Sequence, residues 1–312
     1  MTQMNKLENQ MTIHLHNKLT LDELAKLSGD RLLSIFSQYL QPIPSHELKE
    51  SMQSMLLNGG KRLRSLMIYA AGLTFNAPLE NLDIPASAVE IIHTYSLIHD
   101  DLPCMDDADI RRGKPSCHKV YGEGMAVLAG DALHTLAMQI MANHPSPLAA
   151  ERRIQMITSL SKACGPFGMA AGQALDITMM NQASINKELL LTIYQLKTGA
   201  LFTACVELGR LASSNDSERD RAALKTFGDH IGLAFQIQDD LLDIEGTTDS
   251  IGKPQGLDQE NEKITYPHFF GISKAKEKVA TLYQEAIDAI EYLGEKAQLL
   301  RDLSDHMLAR RK

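Results

Sequence analysis

Two clusters of aspartates stand in strongly apolar surroundings and lie far apart in the chain. The first runs from Asp100 to Asp107, and the second runs from Asp239 to Asp243. Two carboxylates about 4 Å apart repel each other by roughly 4 kcal/mol at an intermediate dielectric. A fold that buries such clusters therefore needs cations beside them, and Mg²⁺ is usually held by one or two carboxylates together with substrate phosphates. We expect a fold in which both clusters serve one metal-assisted diphosphate site.

The second cluster has the more regular spacing. Asp239 and Asp243 are four residues apart, which places them on one face of a helix, and Gln236 lies one turn earlier. A solvated acidic helix face is the alternative. That alternative fits poorly, because apolar residues surround the acids: Phe235, Ile237, Leu241, Leu242 and Ile244. The pattern favours a metal site.

The first cluster is irregular because Pro103 removes a backbone donor and disturbs the helix. A bulged turn would let Asp100 and Asp106 reach one ion. Arg111 and Arg112 follow, and guanidinium groups bind phosphate oxygens through two parallel hydrogen bonds. The alternative for these arginines is internal neutralisation of the aspartates.

Further cations are candidates for phosphate binding. Lys61 and Arg64 follow the pair of glycines at 59–60, whose backbone amides can approach an anion closely. His93 is two helical turns before Asp100, and Lys197 interrupts a long apolar helix. Lys253 lies in a polar loop after the second cluster, where it is either part of a mobile lid or an exposed lysine. For Lys61 and Arg64 the alternative is a solvated basic turn, and for His93 it is an ordinary core histidine. Lys197 is alternatively a lysine whose ammonium group reaches out to solvent.

Apolar residues recur at helical spacing through most of the chain, and alternating strands with hairpin signals are absent. Breaks fall near residues 42–44, 58–60, 76–78, 144–147 and 165–166. The pattern predicts one all-α domain over residues 1–312, with about ten or more helices. The first ~20 residues are a possible extension of that domain.

The composition limits the partners. The net charge of −8 argues against nucleic acid, and local positive charge suits a small anionic substrate. The four cysteines show no paired spacing, which indicates reduced thiols in a cytoplasmic protein. No secretory signal is evident, and the best apolar run, 65–75, is too short to span a bilayer, so no membrane anchor is expected.

The joint pattern resembles the trans-prenyl diphosphate synthases. It comprises the Gly59–Arg64 stretch, the segment 99–115, the turn at 197–199 and the segment 236–243, all in the family's order. The resemblance implies a barrel-like helical fold around a deep apolar cavity and a homodimer. It also implies condensation of isopentenyl diphosphate with an allylic partner, first dimethylallyl and then geranyl diphosphate.

The resemblance also implies roles for individual residues. Asp100 and Asp106 would bind two Mg²⁺ with Asp101 in support, Asp239 would bind a third, and Mn²⁺ is a possible substitute. The remaining roles fall into three groups: Asp240 and Asp243 complete the second metal motif; Lys61, Arg64, His93 and Arg112 hold isopentenyl diphosphate; Arg111, Lys197, Thr198, Gln236 and Lys253 hold the allylic substrate. Ala108 departs from close relatives, which often carry another Asp there, and we expect only a modest effect.

Product length is expected to depend on Tyr95 and Ser96, at the floor of the cavity one turn before Asp100. An aromatic ring followed by a small residue resembles the short-chain pattern with a fifteen-carbon (farnesyl) product. The alternatives are a twenty-carbon (geranylgeranyl) product and a non-catalytic partner subunit, although such subunits tend to lose these aspartates. A terpene cyclase and a calcium module fit less well, because the second motif is Asp-rich and no EF-hand spacing occurs.

Overall fold

The computed structural model describes residues 19–180, 186–245 and 264–308. Within these ranges the chain is almost entirely helical, as predicted, and a π-helical turn (Gln195–Gly199) and a 3₁₀ segment (Glu291–Ala297) each join one α-helix to the next. The α-helices in chain order are α1 (Leu21–Leu40), α2 (His46–Leu56), α3 (Leu63–Thr74), α4 (Leu79–Asp100), α5 (Cys117–Tyr121), α6 (Glu123–Asn143), α7 (Ala150–Cys164), α8 (Met169–Met180), α9 (Lys187–Tyr194), α10 (Ala200–Leu211), α11 (Glu218–Glu245), α12 (Tyr266–Phe270), α13 (Ile272–Ile290) and α14 (Gln298–Leu308).

The helix ends follow local sequence signals. Thr20 and Glu23 form a reciprocal capping box at the start of α1, and Ser45 caps α2 through the backbone N–H of Leu48. The predicted breaks all fall between helices. These caps satisfy N–H groups that have no partner inside the helix.

The described residues contain one short β-hairpin that the periodicity did not predict. Strand β1 (Ile110–Arg111) pairs antiparallel with β2 (Lys114–Pro115). Arg112 and Gly113 have φ values of 53° and 74°, and two positive values in succession match the tight type I′ turn of two-residue hairpins. Strands of two residues are too short to give an alternating pattern.

Helices α3 and α10 lie at the centre of the fold. Every residue of α3 except Arg64 is buried, and α10 packs against α3, α4, α7 and α11. Helix α4 packs against α3 and α6, while α11 packs mainly against α13. The helices that end in the two aspartate clusters, α4 and α11, therefore both flank α10.

Two helical stretches, Glu123–Asn143 and Lys187–Leu211, are long and apolar enough to cross a membrane by length and composition alone. About half of each is buried inside the fold, 44% and 50% of the most apolar window. Core helices of soluble proteins pass the same test, so these two stretches are weak evidence for a membrane span.

Candidate active site

Helix α4 delivers the first aspartate cluster. The helix ends at Asp100, and the following loop curls back so that the N–H of Asp106 donates to the carbonyl of Asp100 at 2.8 Å. The N–H of Ala108 donates to the carbonyl of Asp101 at 3.2 Å, and Asp107 takes a positive φ of 48°. The structure thus brings Asp106 back beside Asp100, in the kind of bulged turn that Pro103 suggested.

Burial disfavours the charged form of the Asp100 carboxyl. Burial raises the pKa of its carboxyl to about 6, and the neighbouring Asp106 adds to the increase. Lys197, from the π-helical turn, acts in the opposite direction and is the strongest influence that lowers this pKa. A carboxyl that is driven toward its neutral form in this way is a position where a cation would be stabilised.

Asp101 is fully buried and pairs with Arg111. The Nε of Arg111 donates to Asp101 Oδ1 at 2.9 Å, and a guanidinium NH₂ makes a second, shorter contact with the same oxygen. The other oxygen, Oδ2, is buried without a hydrogen-bond partner among the described residues. Arg111 therefore follows the alternative of internal neutralisation, although part of its side chain remains accessible.

The second cluster is divided between a half-buried Asp239 and the buried pair Asp240 and Asp243. Asp240 accepts hydrogen bonds from the Tyr194 hydroxyl at 2.5 Å, the Tyr266 N–H at 3.1 Å and the Gln236 amide at 3.2 Å. Asp240 is thus part of a buried network. The roles of all three aspartates remain predictions.

The side chain of Gln236 makes two hydrogen bonds within the site that its helical spacing did not predict. Its Oε1 accepts a hydrogen bond from Thr198 Oγ1 at 2.7 Å, while its amide nitrogen donates to Asp240. One side chain therefore links the second cluster to the Lys197–Thr198 turn. Tertiary contacts across two helices set its direction, and these cannot be read from spacing.

The predicted interruption at 197–199 is a π-helical turn between α9 and α10. Such single-turn π segments often occur at functional sites. Lys197 pairs with Asp176 of α8, Nζ to Oδ2, at 2.7 Å. A Cβ added to Gly172 on α8 would lie 2.3 Å from the backbone nitrogen of Lys197, so a glycine there permits the close approach of α8.

A cationic pocket lies near the Gly-Gly loop before α3. Arg112 donates to the Gly59 carbonyl at 2.9 Å, and a Cβ on Gly60 would meet the Arg112 guanidinium at 2.9 Å. Arg64 lies over the Phe202 ring, 4.9 Å from its centroid. The predicted cations at 64, 93 and 112 thus come together, whereas Lys61 is exposed at the rim.

His93 is held in its neutral form within this pocket. Burial lowers its pKa well below the ordinary 6.5, and the positive charges of Arg64, Arg112 and Arg111 lower it further. Burial also lowers the pKa of Arg64, while Asp239 of the second cluster acts in the opposite direction. Asp239 and the pocket are therefore within electrostatic reach of each other.

Tyr95 stands one turn and a half before the end of α4, among other rings. Its ring meets His99 and His134 edge-on, at centroid distances of 5.8 and 5.1 Å, and burial raises its pKa. Ser96 donates to the carbonyl of His93 at 2.9 Å. The Tyr95 ring thus packs between α4 and the His134 ring of α6.

Several residues of the site were missed by sequence reasoning. Glu90 is buried and accepts from the Ser65 N–H at 3.0 Å, with Arg62 at 3.7 Å. Glu90 is the one charged residue in the apolar run 84–92, and this pattern could have identified it as a candidate site residue. Asp176 and Tyr194 carry no such signal, because their roles depend on contacts with Lys197 and Asp240.

Other expectations are not addressed by these contacts. Lys253 lies outside the described residues. Two cavities of about 1180 and 780 Å³ lie elsewhere on the surface, and no aspartate of the two motifs lines either of them. The deep apolar cavity expected from the resemblance stays a prediction.

The donor set of the two motifs fits Mg²⁺. Carboxylate oxygens are the ligands that Mg²⁺ prefers, and it binds with few protein groups plus substrate phosphates. Burial raises the pKa of Asp100 to about 6, so a bound cation would stabilise its charged form. Arg64, Arg112 and the imidazole of His93 lie within electrostatic reach of one another and provide a place for phosphate oxygens. An all-α fold with two aspartate motifs and an arginine–histidine pocket has the groups that a metal-dependent enzyme acting on diphosphates requires.

Comparison with known proteins gives the family. The polyprenyl synthetase family model matches residues 45–303. The farnesyl diphosphate synthase of Escherichia coli is 44% identical over 282 residues, which cover 88% of this chain and 94% of that protein. The chain therefore belongs to the polyprenyl synthetase family.

Two solved structures are similar to this chain in fold. A geranyltransferase from Legionella pneumophila matches with a TM-score of 0.82 and 36% identity, covering 97% of this chain and 99% of that one. A geranyltransferase from Helicobacter pylori, complexed with magnesium and isoprenyl diphosphate, matches with a TM-score of 0.78 and 31% identity over 94% and 98% of the two chains. The predicted all-α prenyl synthase fold is confirmed.

Proposed function

We propose that the protein is a Mg²⁺-dependent prenyltransferase that condenses isopentenyl diphosphate with dimethylallyl and then geranyl diphosphate. The products are farnesyl diphosphate and inorganic diphosphate. The observation that carries the proposal is the placement of two aspartate motifs and one arginine–histidine pocket around α10. The similarity to a farnesyl diphosphate synthase over nearly the whole chain supports the same activity.

The metal would be held by Asp100, Asp106 and Asp239, with Asp243 completing the second motif. Three ions per site and replacement by Mn²⁺ are part of the proposal, and the magnesium complex of the Helicobacter pylori relative supports the choice of metal. When bound, Mg²⁺ would neutralise negative charge on a departing diphosphate. Asp101, paired with Arg111, would hold the loop that carries Asp100 and Asp106.

The protein's own groups bind and orient the two substrates. Arg64, Arg112 and neutral His93 would bind isopentenyl diphosphate, with Lys61 at the rim. Lys197 would exchange Asp176 for an allylic phosphate oxygen, and Lys253 would add a second cation. The exchange at Lys197 replaces a carboxylate partner by a more highly charged anion.

The chemistry then requires a dry, oriented site. The allylic C–O bond breaks, the alkene of isopentenyl diphosphate forms the new C–C bond, and a proton is lost to the released diphosphate. The oxygens of Thr198 and Gln236, already 2.7 Å apart, would lie beside the positive carbon. Exclusion of water protects that carbon from hydrolysis. Because the released diphosphate takes the proton, no side-chain general base is assigned.

We also propose a cytoplasmic homodimer. Large apolar side chains are exposed on α6 and on and after α7: Val127 at 40%, Leu128 at 55%, Ile154 at 62% and Phe167 at 74%. Exposed apolar patches of this kind mark interaction surfaces. A second copy of the chain would cover them.

The test is incubation of purified protein with isopentenyl and dimethylallyl diphosphates, with Mg²⁺ and with EDTA, followed by chromatography of the products. The expected result is a fifteen-carbon product that requires Mg²⁺. A main product of twenty carbons would assign the longer-chain activity instead. Absence of any condensation with either allylic starter would refute prenyl transfer and favour a non-catalytic partner subunit.

A further inference from the structure

We propose that Asp107, Asp109 and His118 form a second metal site, selective for a transition-metal ion and separate from the Mg²⁺ ligands. One ligand atom from each of the three residues lies within 4.8 Å of the others. The two aspartates are exposed on the outer side of the acidic loop, and His118 is buried in α5, with 6% of its surface accessible. Two loop carboxylates and one buried imidazole therefore converge from separate segments.

One ring nitrogen of His118 is hydrogen-bonded, and the other is left for a ligand. Its Nδ1 lies 3.2 Å from Ser116 Oγ, and that hydroxyl donates in turn to the Asp109 carbonyl at 3.3 Å. In metal sites the second ring nitrogen is commonly held by an oxygen, which fixes the tautomer. Nε2 is buried without a hydrogen-bond partner in the part of the chain that the structure describes. A buried imidazole nitrogen with no partner is costly unless a ligand satisfies it.

The donor set selects the class of ion. Mg²⁺ prefers oxygen ligands and keeps several waters, whereas imidazole suits Zn²⁺, Co²⁺ and Ni²⁺. Two carboxylates and one imidazole leave a fourth position for water, as in many zinc sites. The site therefore differs in ligand type from the all-carboxylate motifs of Asp100, Asp106 and Asp239, and it favours a different class of ion.

Lys119 competes with the metal for Asp109. Its ammonium lies 2.7 Å from Asp109 Oδ1, but both side chains are largely exposed, at 43% and 71%. Exposed ion pairs are weak and are screened by salt. A divalent ion can displace this lysine, and removal of the lysine should strengthen metal binding.

Occupancy of the site would tie the acidic loop to α5. Asp107 follows the Mg²⁺ ligand Asp106 directly, and Asp109 leads into β1 and Arg111. An ion bridging the loop to His118 would restrict the motion of both segments. The inference does not depend on the prenyl transfer proposed above, because it concerns metal binding alone.

The experiment uses the full-length protein, stripped with EDTA and returned to saturating Mg²⁺ without prenyl substrates. Co²⁺ is the probe, because its visible absorption reports nitrogen ligation, and Zn²⁺ is added as a competitor. Wild type is compared with Asp109→Asn, His118→Gln and Lys119→Gln. His46→Gln is the control. His46 also lies beside a carboxylate, that of Glu50, but its side chain is exposed.

We expect one Co²⁺ equivalent in wild type that Mg²⁺ does not displace and Zn²⁺ does. Affinity should fall at least tenfold in Asp109→Asn and His118→Gln, rise severalfold in Lys119→Gln and stay unchanged in His46→Gln. Because Asp109 is exposed, its variant tests the site even if the change at the buried His118 impairs folding. Wild-type Co²⁺ affinity in Asp109→Asn, or no Co²⁺ bound in the presence of Mg²⁺, would overturn the proposal.

Discussion

The Nε of Arg111 donates a hydrogen bond to Oδ1 of Asp101 at 2.9 Å, so the second aspartate of the first cluster is neutralised by the protein itself. Asp101 is fully buried, whereas Asp100 beside it keeps partial access to solvent. Two adjacent aspartates therefore have different tasks. Asp101 pairs with Arg111 inside the protein, and Asp100 is the one of the two that we propose as a metal ligand.

Asp101→Ala should destabilise the metal-free protein by about 3 kcal/mol, because removing one partner leaves a mostly buried guanidinium without its counter-ion. Urea unfolding in EDTA measures the change. The matched control is Asp109→Ala, whose ion pair with Lys119 is exposed and should contribute less than about 1 kcal/mol. Equal losses in both variants would contradict the supporting role of Asp101.

Mg²⁺ affinity should fall as the pH drops through about 6. The pKa of Asp100 is raised to about 6 from 3.8, so the folded protein holds this proton at a pH where an ordinary carboxyl has lost it. A protonated carboxyl does not bind the metal, and the same shift makes the metal-free fold less stable as the pH rises from about 4 to about 6. Calorimetric Mg²⁺ titrations across this range measure the effect.

Asp100→Asn is the control for that titration. The variant should lose the pH dependence of stability between about pH 4 and pH 6 in EDTA, because the titrating group is gone. An affinity in wild type that stays constant down to about pH 4 would show that Asp100 titrates normally.

Tyr95→Met should lengthen the product, and Ser96→Phe should shorten it to ten carbons. The Tyr95 ring is held edge-on between His99 and His134, so its removal opens the end of α4. A phenylalanine at 96 would fill space one turn before Asp100. Chromatography of the products from each variant is the measurement, and unchanged chain length in both would refute the steric argument.

Tyr194→Phe should lower stability by about 1–3 kcal/mol, because it removes a donor from the buried carboxylate of Asp240. The Gln236 amide shares that carboxylate, so kcat should fall as well. Thermal unfolding and steady-state kinetics measure both effects. Tyr283→Phe is the control, since its bond to Asp305 is exposed and should matter little for either quantity.

Gly172→Ala should abolish most activity and destabilise the fold. The new Cβ would lie 2.3 Å from the Lys197 backbone nitrogen, which forces the π-helical turn to move. Gly29→Ala is the opposite case, because no atom lies within 4 Å of its Cβ and it sits inside α1. That change should stabilise the protein by up to about 1 kcal/mol. The activity and the Tm of both variants are compared with those of the wild type. Similar values for the two variants would contradict the close approach of α8 to the π-helical turn.

The helical fold was predictable because apolar spacing and chain breaks are local properties. The predicted breaks at 42–44, 76–78 and 144–147 separate helices, and the interruption at Lys197 is a π-helical turn. The hairpin at Ile110–Pro115 was not predicted, because two-residue strands leave no periodic signal.

The candidate site was predictable as a set of residues but less so as a set of contacts. Arg64, His93 and Arg112 come together as expected. The partners of Gln236 and Lys197 depend on helices far away in sequence, and no local pattern specifies Thr198 or Asp176 as those partners. Spacing gives the face of a helix, and packing decides what that face meets.

The hairpin turn at Arg112 and Gly113 gives neighbouring arginines different destinations. Arg111 reaches back to Asp101, and Arg112 reaches across to the Gly59 carbonyl. A single tight turn thus connects the acidic loop to the glycine loop through the side chains of two neighbouring residues. Because both guanidinium groups start from this one turn, a displacement of either hydrogen bond would be transmitted through the backbone of the hairpin to the other.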